Sequence, residues 1–263
     1  MSLVSFDPFR TLGLPGVRYI KPEAMHQHLG ELKQASWLLF PEYWQIHTLH
    51  YVLKRPIFPS LSTYHLGHDK VEMTRAFQAA CPGHMPRTDI CASTDSNIER
   101  ILDTFEFPFV AKKVRASMGL GVYLIDRAED FRRYARDNDT LYVQEYLPIR
   151  RDLRLVLAGT RVVHGYWREG DDFLNNVSRG ARIRDDLVIP TAAVEFVETL
   201  AAYLDINYAG FDVAMVGDTP MLFEFNRLFG NQQRPALFHE VGIALRDYLL
   251  GQPDPENVTG LRA

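Results

Sequence analysis

Asp212, Glu224 and Asn226 are the residues of this sequence best suited to chemistry. They lie in two short runs, Gly210 to Val216 and Met221 to Asn226, separated by Gly217-Asp218-Thr219-Pro220. Both runs alternate in strand fashion, and the segment between them is turn-like. In the first run Phe211, Val213 and Met215 point one way and Asp212 the other. In the second, Met221, Phe223 and Phe225 point one way, and Glu224 and Asn226 the other. A hairpin that sets Asp212 opposite Glu224 or Asn226 gathers all three on one face. That register requires an odd number of loop residues, such as Gly217 to Thr219. Two carboxylates and an amide oxygen suit a hard cation such as Mg²⁺, which commonly also holds phosphates. The competing reading is a solvated strand face that happens to carry polar residues.

A site for a metal-bound nucleotide needs phosphate ligands elsewhere in the chain. Val110-Ala111-Lys112-Lys113 sits late in an expected strand, and Ala116-Ser117-Met118-Gly119-Leu120-Gly121 follows it. A small-residue loop between strands can aim backbone N–H groups at phosphate oxygens, and a lysine at the strand end adds a point charge. Between strands, Gly119-x-Gly121 more often makes a tight turn. Alternation puts Val110, Lys112 and Val114 on one face and Lys113 on the other, and leaves open which lysine would serve. There is no Gly-x-x-x-x-Gly-Lys-Ser/Thr loop and no Gly-x-Gly-x-x-Gly opening a helix, which argues against P-loop and dinucleotide-binding folds.

The elements that must position these residues can be outlined. Trp37 to Phe40 reads as a buried strand ending at Pro41, and Ile57-Phe58, between prolines, as an edge strand or extended segment. Asp69 to Ala80 is helical in composition and stops before Pro82-Gly83. Ser96-Asn97-Ile98-Glu99 matches a capping box for a short helix ending near Asp103. Strands are expected from Phe107 to Val114, Gly121 to Ile125 and Leu141 to Tyr146. Between the last two, a helix begins near Asp126 with Phe131, Tyr134 and Ala135 on one stripe. Leu153 to Leu157 and Arg161 to Trp167 form a hairpin around Ala158-Gly159-Thr160. Thr191 to Leu204 is helical, with Thr191 the candidate cap and Val194, Val197, Leu200, Ala201 and Leu204 the apolar stripe. The last residues, Gly251 to Ala263, are polar and expected to fray. Short helices interleaved with antiparallel strand pairs make an α+β pattern.

Composition narrows the rest. The chain has 263 residues, 46% hydrophobic and 24% charged, with a formal net charge of -4. That suits a soluble globular protein with no general affinity for nucleic acid or anionic membrane. No apolar stretch is long enough to span a bilayer, and Met1 to Pro15 lacks the pattern of a signal peptide, so a cytoplasmic setting is expected. The two cysteines, Cys81 and Cys91, are expected to be reduced, buried thiols. The close pairs among nine histidines lack partners for a zinc pattern and read as surface or core residues. Arg150-Arg151, with Arg154, forms a basic cluster that reads as a solvated patch or a contact for an acidic substrate. Trp37, Trp44 and Trp167 read as packing residues. No Gly-x-Ser-x-Gly elbow points to a serine hydrolase, and no feature fixes an assembly state.

Five blocks occur in an order that resembles the ATP-grasp ligases, closest to the RimK-like group that joins amino acids to carboxyl groups. They are Asp69-Lys70; Phe109 to Lys112 with Ser117 to Gly121; Val143-Gln144-Glu145-Tyr146-Leu147; Asp152-Leu153-Arg154 with Asn175 to Gly180; and Gly210-Phe211-Asp212 with Glu224-Phe225-Asn226. The resemblance covers roughly residues 65 to 235. It implies an ATP-grasp fold: a small N-terminal α/β subdomain over 1–68, a lid subdomain over 69–147 and a C-terminal subdomain over 148–263, with ATP between two antiparallel sheets. It implies that Lys70 and Lys112 contact the ATP phosphates while the loop from Ser117 through Gly119 to Gly121 closes over them. Gln144, Glu145, Tyr146 and Leu147 would lie in the hinge strand, with backbone groups of Glu145 and Leu147 reading the adenine edge. Asp152 would lie near the ribose, and Arg154 and Arg179 would face the transferred phosphate and the acyl phosphate. Asn176 matches the asparagine of the Asn-x-x-Arg-Gly segment. Asp212, Glu224 and Asn226 would hold two Mg²⁺ ions, or Mn²⁺, with Glu224 bridging.

The implied reaction is ATP-dependent ligation of a carboxylate to an amine on an amino acid or peptide, with neither nucleic acid nor membrane as partner. The chemistry is coherent: a carboxylate becomes a good electrophile once phosphorylated, and a closing lid protects the acyl phosphate from water. The rivals are a phosphotransferase on the same fold and a nucleotide-binding module without catalysis. Three departures from the family pattern stand out. Ala116 replaces the usual glycine, the N-terminal region is short, and Arg227-Leu228-Phe229-Gly230 follows Asn226 where small residues and proline are usual.

Overall fold

The structure is a computed structural model describing residues 1–114, 121–170, 181–229 and 235–251. Three sheets organise it. The first is four-stranded and wholly parallel, in the order β2-β1-β3-β4, from β1 (Leu3–Ser5), β2 (Val17–Tyr19), β3 (Trp37–Leu39) and β4 (Ile57–Phe58). The inner strand β3 and its neighbour β4 are apolar at consecutive positions because both faces are covered, whereas the edge strand β2 exposes Arg18 and Tyr19. Val4, Leu38 and Ile57 pack toward α1 (Leu29–Gln34) and α2 (Leu61–Leu66). Leu3, Trp37, Leu39 and Phe58 pack against residues of α7 (Pro235–Gly251), a helix not read from the sequence.

Helix α3 (Lys70–Ala80) begins where Asp69 accepts hydrogen bonds from the N–H groups of Val71 and Glu72, at 2.7 and 3.0 Å. Met73 and Phe77, one turn apart, bury against Leu222 and Phe225. The second sheet is antiparallel in the order β5-β8-β6-β7, from β5 (Thr88–Ala92), β6 (Phe109–Lys112), β7 (Val122–Ile125) and β8 (Thr140–Glu145). Helices α4 (Asp95–Thr104) and α5 (Ala128–Arg136) cover one face, with Ile101, Phe131, Tyr134 and Ala135 in the core. The cap of α4 is Thr94, not Ser96: the Thr94 hydroxyl accepts from the Asn97 N–H at 3.3 Å. Ser96 hydrogen-bonds sideways to Thr94 instead.

The third sheet is antiparallel, in the order β11-β10-β9-β12-β13: β9 (Arg151–Ala158), β10 (Arg161–Glu169), β11 (Arg182–Arg184), β12 (Tyr208–Val216) and β13 (Thr219–Asn226). Alternation divides its two faces. Leu153, Leu155, Leu157, Ala209, Phe211 and Val213 form the largest core with α3 and α6 (Thr191–Tyr203). Full burial of each Leu, Phe or Val side chain there contributes ~1.5–3 kcal/mol. Helix α6 follows Pro190 and has no side-chain cap, so Thr191 is its first residue and not its cap. On the opposite face Val156, Ala158 and Tyr208 pack under α7, and beyond them the face turns polar.

Two expectations about tryptophan and arginine need correction. Trp37 and Trp167 pack in cores, but Trp44 is 52% exposed. The basic cluster is split by strand alternation: Arg151 stacks 4.9 Å over Trp167, while Arg154 points to the polar face. No described helix is long and apolar enough to cross a membrane.

Candidate active site

The hairpin of β12 and β13 sets Asp212 directly opposite Glu224, and Gly210 opposite Asn226. The route to that register differs from the expected three-residue loop. Val216 pairs with Thr219, so the loop is Gly217-Asp218, with Gly217 at φ +60°. The odd residue is Phe223, bulged out between the Asp212–Glu224 and Val213–Leu222 pairs. The bulge also changes the inward face of β13: Leu222 and Phe225 are buried in the core, whereas Met221 and Phe223 were expected there. Phe223 turns toward the polar face, its ring 5.8 Å from Lys112 Nζ.

Cations surround the two carboxylates. Arg154 lies opposite Asp212 on β9, and its Nη1 donates to Asp212 Oδ1 at 2.5 Å. Arg168 on β10 lies opposite Asp152, to which it donates from Nε at 2.7 Å and Nη2 at 2.9 Å. The same Nη2 is 3.0 Å from Asp212 Oδ1. The resulting line Asp152–Arg168–Asp212–Arg154 is almost wholly buried, with each side chain no more than 11% exposed. Arg168 escapes sequence reasoning because its place depends on a bulge in β10 between Val162 and His164. Burial drives Asp152 up to about 6 against the opposing pull of Arg168, which is itself held above the usual guanidinium value.

Lys70, in the first turn of α3, donates from Nζ to Glu224 Oε2 at 2.8 Å. Burial acts to raise Glu224, but Lys70, Lys112 and Arg154 outweigh it and hold the carboxyl below its ordinary value. Lys112 ends β6 with Nζ 5.5 Å from the Tyr142 ring, opposite Phe223. Burial, with Lys70 adding to it, pushes its ammonium down to about 8. Lys113 faces away and lies 5.9 Å from the Tyr123 ring. The Tyr142 hydroxyl meets Thr74 of α3 at 2.8 Å, tying the second sheet to the helix that carries Lys70.

The hinge residues make their hydrogen bonds outside this cluster. Gln144 is buried and donates to Thr88 Oγ1 at 2.8 Å. The Glu145 N–H is already used by the Arg87 carbonyl at 2.9 Å, and its side chain accepts from the Arg87 N–H. The Leu147 carbonyl accepts from Ile149 N–H at 2.8 Å, while the Leu147 N–H has no partner among the described residues. Tyr146 follows β8 at the end of the sheet. Gly121 accepts a hydrogen bond from Lys113 N–H at 2.7 Å. Ser117, Gly119, Asn176 and Arg179 lie outside the described residues.

The structure thus brings together Lys70, Lys112, Asp152, Arg154, Asp212, Glu224 and Asn226, the last on the Glu224 face by alternation. Hard oxygen donors beside four cationic side chains fit a divalent cation carrying phosphates. Among the described residues no group of three or more His, Cys, Asp or Glu is placed to hold a metal by itself. Such an ion would therefore draw further ligands from phosphate oxygens. Cys81 and Cys91 are free thiols, and burial pushes Cys81 up to about 11.

Three likenesses bear on this arrangement. A family model described as the RimK-like ATP-grasp domain matches residues 69–245. A probable alpha-L-glutamate ligase of Enterobacter sp. (strain 638) is 32% identical over 152 residues, 54% of this chain and 50% of that protein. The chain therefore spans about half the length of that curated relative. A RimK domain ATP-grasp protein of Sphaerobacter thermophilus superposes with a TM-score of 0.69 at 15% identity, over 95% of this chain and all of that one. The D-alanine–D-alanine ligase of Bacillus anthracis gives 0.60 at 17% identity, over 89% of this chain and 84% of that one. At these identities the structural likenesses speak for the fold.

Proposed function

We propose that this chain, which belongs to the RimK-like ATP-grasp family and has the ATP-grasp fold, is an ATP-dependent carboxylate–amine ligase acting on an amino acid or peptide. The reaction runs through an acyl phosphate and releases ADP and phosphate. The observation that carries this reading is the opposition of Asp212 and Glu224 beneath Lys70, Lys112 and Arg154. The name of the Enterobacter relative supports an amino acid as one substrate. The division at 1–68, 69–147 and 148–263 and the cytoplasmic setting belong to the same proposal.

Asp212, Glu224 and Asn226 would hold Mg²⁺ or Mn²⁺, two ions in all. Bound there, the ions supply neutralisation of the transferring phosphoryl group. Lys70 and Arg154 now satisfy the carboxylates, and on nucleotide binding they are freed for phosphate oxygens. Lys112, fixed between Tyr142 and Phe223, keeps a cation at the phosphates without needing a carboxylate partner. Arg154, joined by Arg179, faces the acyl phosphate while the amine attacks. By the family resemblance, Ser117, Gly119 and Gly121 would close over the phosphates, and Asn176 would belong to the nucleotide site. Gln144, Glu145, Tyr146 and Leu147 form the adenine edge, where the free Leu147 N–H is a suitable donor. Asp152 would reach the ribose only by giving up an oxygen that now holds Arg168.

ADP release from purified protein supplied with Mg-ATP and mixtures of amino acids and peptides tests the reading, with the amide identified by mass spectrometry. Protein that neither binds Mg-ATP nor releases ADP with any mixture rules it out. A lasting phosphorylated product without an amide identifies a phosphotransferase instead.

A further inference from the structure

Along the polar face of β12, Asp212, Gly210 and Tyr208 succeed one another, and a cavity of about 180 Å³ opens beyond Tyr208. It lies between the segment after β1, which carries Asp7, Phe9, Arg10 and Leu12, and helix α7, which carries Phe238, Val241 and Gly242. The volume exceeds the ~30 Å³ share of one water and falls below the ~300 Å³ of the smallest drug-sized sites, which suits one residue-sized group. Its charged lining residues are Arg10 and Asp7. Arg10 Nη1 donates to the Tyr208 hydroxyl at 3.0 Å and reaches the Phe229 carbonyl at 3.4 Å. Nε touches Asp7 Oδ2 at 3.3 Å but makes no hydrogen bond, and Nη2 makes none among the described residues. Asp7 is committed to its own loop, where Oδ1 accepts from the Phe9 and Arg10 N–H groups. The lining mixes polar and apolar surface, with Asp7 and Arg10 beside Phe9, Leu12, Phe238 and Val241; Phe9 is 76% exposed and Leu12 54% exposed, area that a bound apolar group would cover.

A guanidinium whose Nη2 is uncommitted among the described residues, lining a cavity together with large apolar side chains, recognises a carboxylate on an apolar body. Tyr208 lies four residues from Asp212, roughly 13 Å at ~3.3 Å per residue. That is longer than a single amino acid, so the carboxylate held at Arg10 cannot be the group activated beside Asp212. We propose that the cavity seats the C-terminal carboxylate and apolar last residue of an elongated amine substrate with the dimensions of a short peptide, whose amino terminus reaches the acyl phosphate. Naming the amine rests on the ligase reading above; the cavity's ligand chemistry does not.

Gly242 allows a clean test, because nothing lies within 4 Å of a Cβ added there. Gly-Gly-Phe with a free C-terminus and its C-terminal amide are titrated calorimetrically into the full chain, with Mg-ATP affinity measured separately. The free acid is expected to bind at least tenfold more tightly than the amide. Arg10→Met should abolish that difference. Gly242→Leu, which fills the cavity, should weaken the acid at least tenfold, while Gly242→Ala changes it less than threefold; Mg-ATP affinity should hold throughout. Absence of binding by the acid, equal binding of acid and amide, or full binding by Gly242→Leu with its melting temperature intact overturns the assignment. Binding as expected with no ADP release under any condition keeps the cavity and removes the ligase reading.

Discussion

Arg154 and Asp212 face each other across neighbouring strands, guanidinium to carboxylate at 2.5 Å, with Arg168 on the same carboxylate oxygen at 3.0 Å. A single carboxylate thus neutralises one arginine and shares a second with Asp152. Asp212→Asn removes a proposed metal ligand and leaves Arg154 without a carboxylate partner. ADP release should fall at least ~100-fold, the scale of losing a charged group that acts on the transferring phosphoryl. Stability should fall too, by ~3–5 kcal/mol, because a buried guanidinium loses its counter-charge. Urea unfolding checks the second effect separately; unchanged turnover in folded protein would remove Asp212 from the metal site.

Gly210 makes the Arg154 position attainable. A Cβ on Gly210 would stand 2.6 Å from Arg154 Nε and 2.8 Å from its Cζ. Gly210→Ala should therefore displace the guanidinium without touching Lys70, Lys112 or the hinge. The expected outcome is a loss of turnover of ~10- to 100-fold with Mg-ATP affinity changed less than threefold, since ~1 Å of misplacement at a reacting group is enough for such losses. A large loss of nucleotide affinity would show that Gly210 acts through the fold instead.

The opposition of Asp212 and Glu224 was legible because side-chain alternation admits few registers once a turn is located. Its construction was not. A three-residue loop and a two-residue loop with a bulge at Phe223 give the same pairing at Asp212, and only packing selects between them. Lys112 and Lys113 are equivalent by alternation until Tyr142, Phe223 and Tyr123 supply their surroundings. Arg168 and Arg10 were missed for a related reason. Each meets its partners across more than a hundred residues or across a bulged strand, and local pattern carries neither relationship.

Asp152 separates inheritance from observation. The family resemblance puts it near the ribose, whereas here it holds Arg168 with both oxygens. If its work is to hold that arginine, Asp152→Asn should destabilise the fold by ~3–5 kcal/mol. The affinities for ATP and 2′-deoxy-ATP should then fall together and modestly. A direct ribose contact predicts the opposite: wild type distinguishes the two nucleotides and the variant does not.

Lys112 gives nucleotide binding a pH dependence whose sign follows from burial. In the free protein its pKa is lowered to about 8, so the ammonium loses its proton as pH rises through that value. Phosphate oxygens favour the charged form and must raise the pKa on binding, so binding takes up a proton near pH 8. ATP affinity should be level below pH 7 and fall by up to ~tenfold per unit above 8, the limit for one linked proton. Calorimetry in buffers of different ionisation enthalpy should register that uptake. Lys112→Arg should flatten the curve by staying charged throughout, and Lys112→Met should flatten it at lower affinity. A wild-type affinity constant from pH 7 to 9.5, or a slope that survives in Lys112→Met, would assign the phosphate contact to another group.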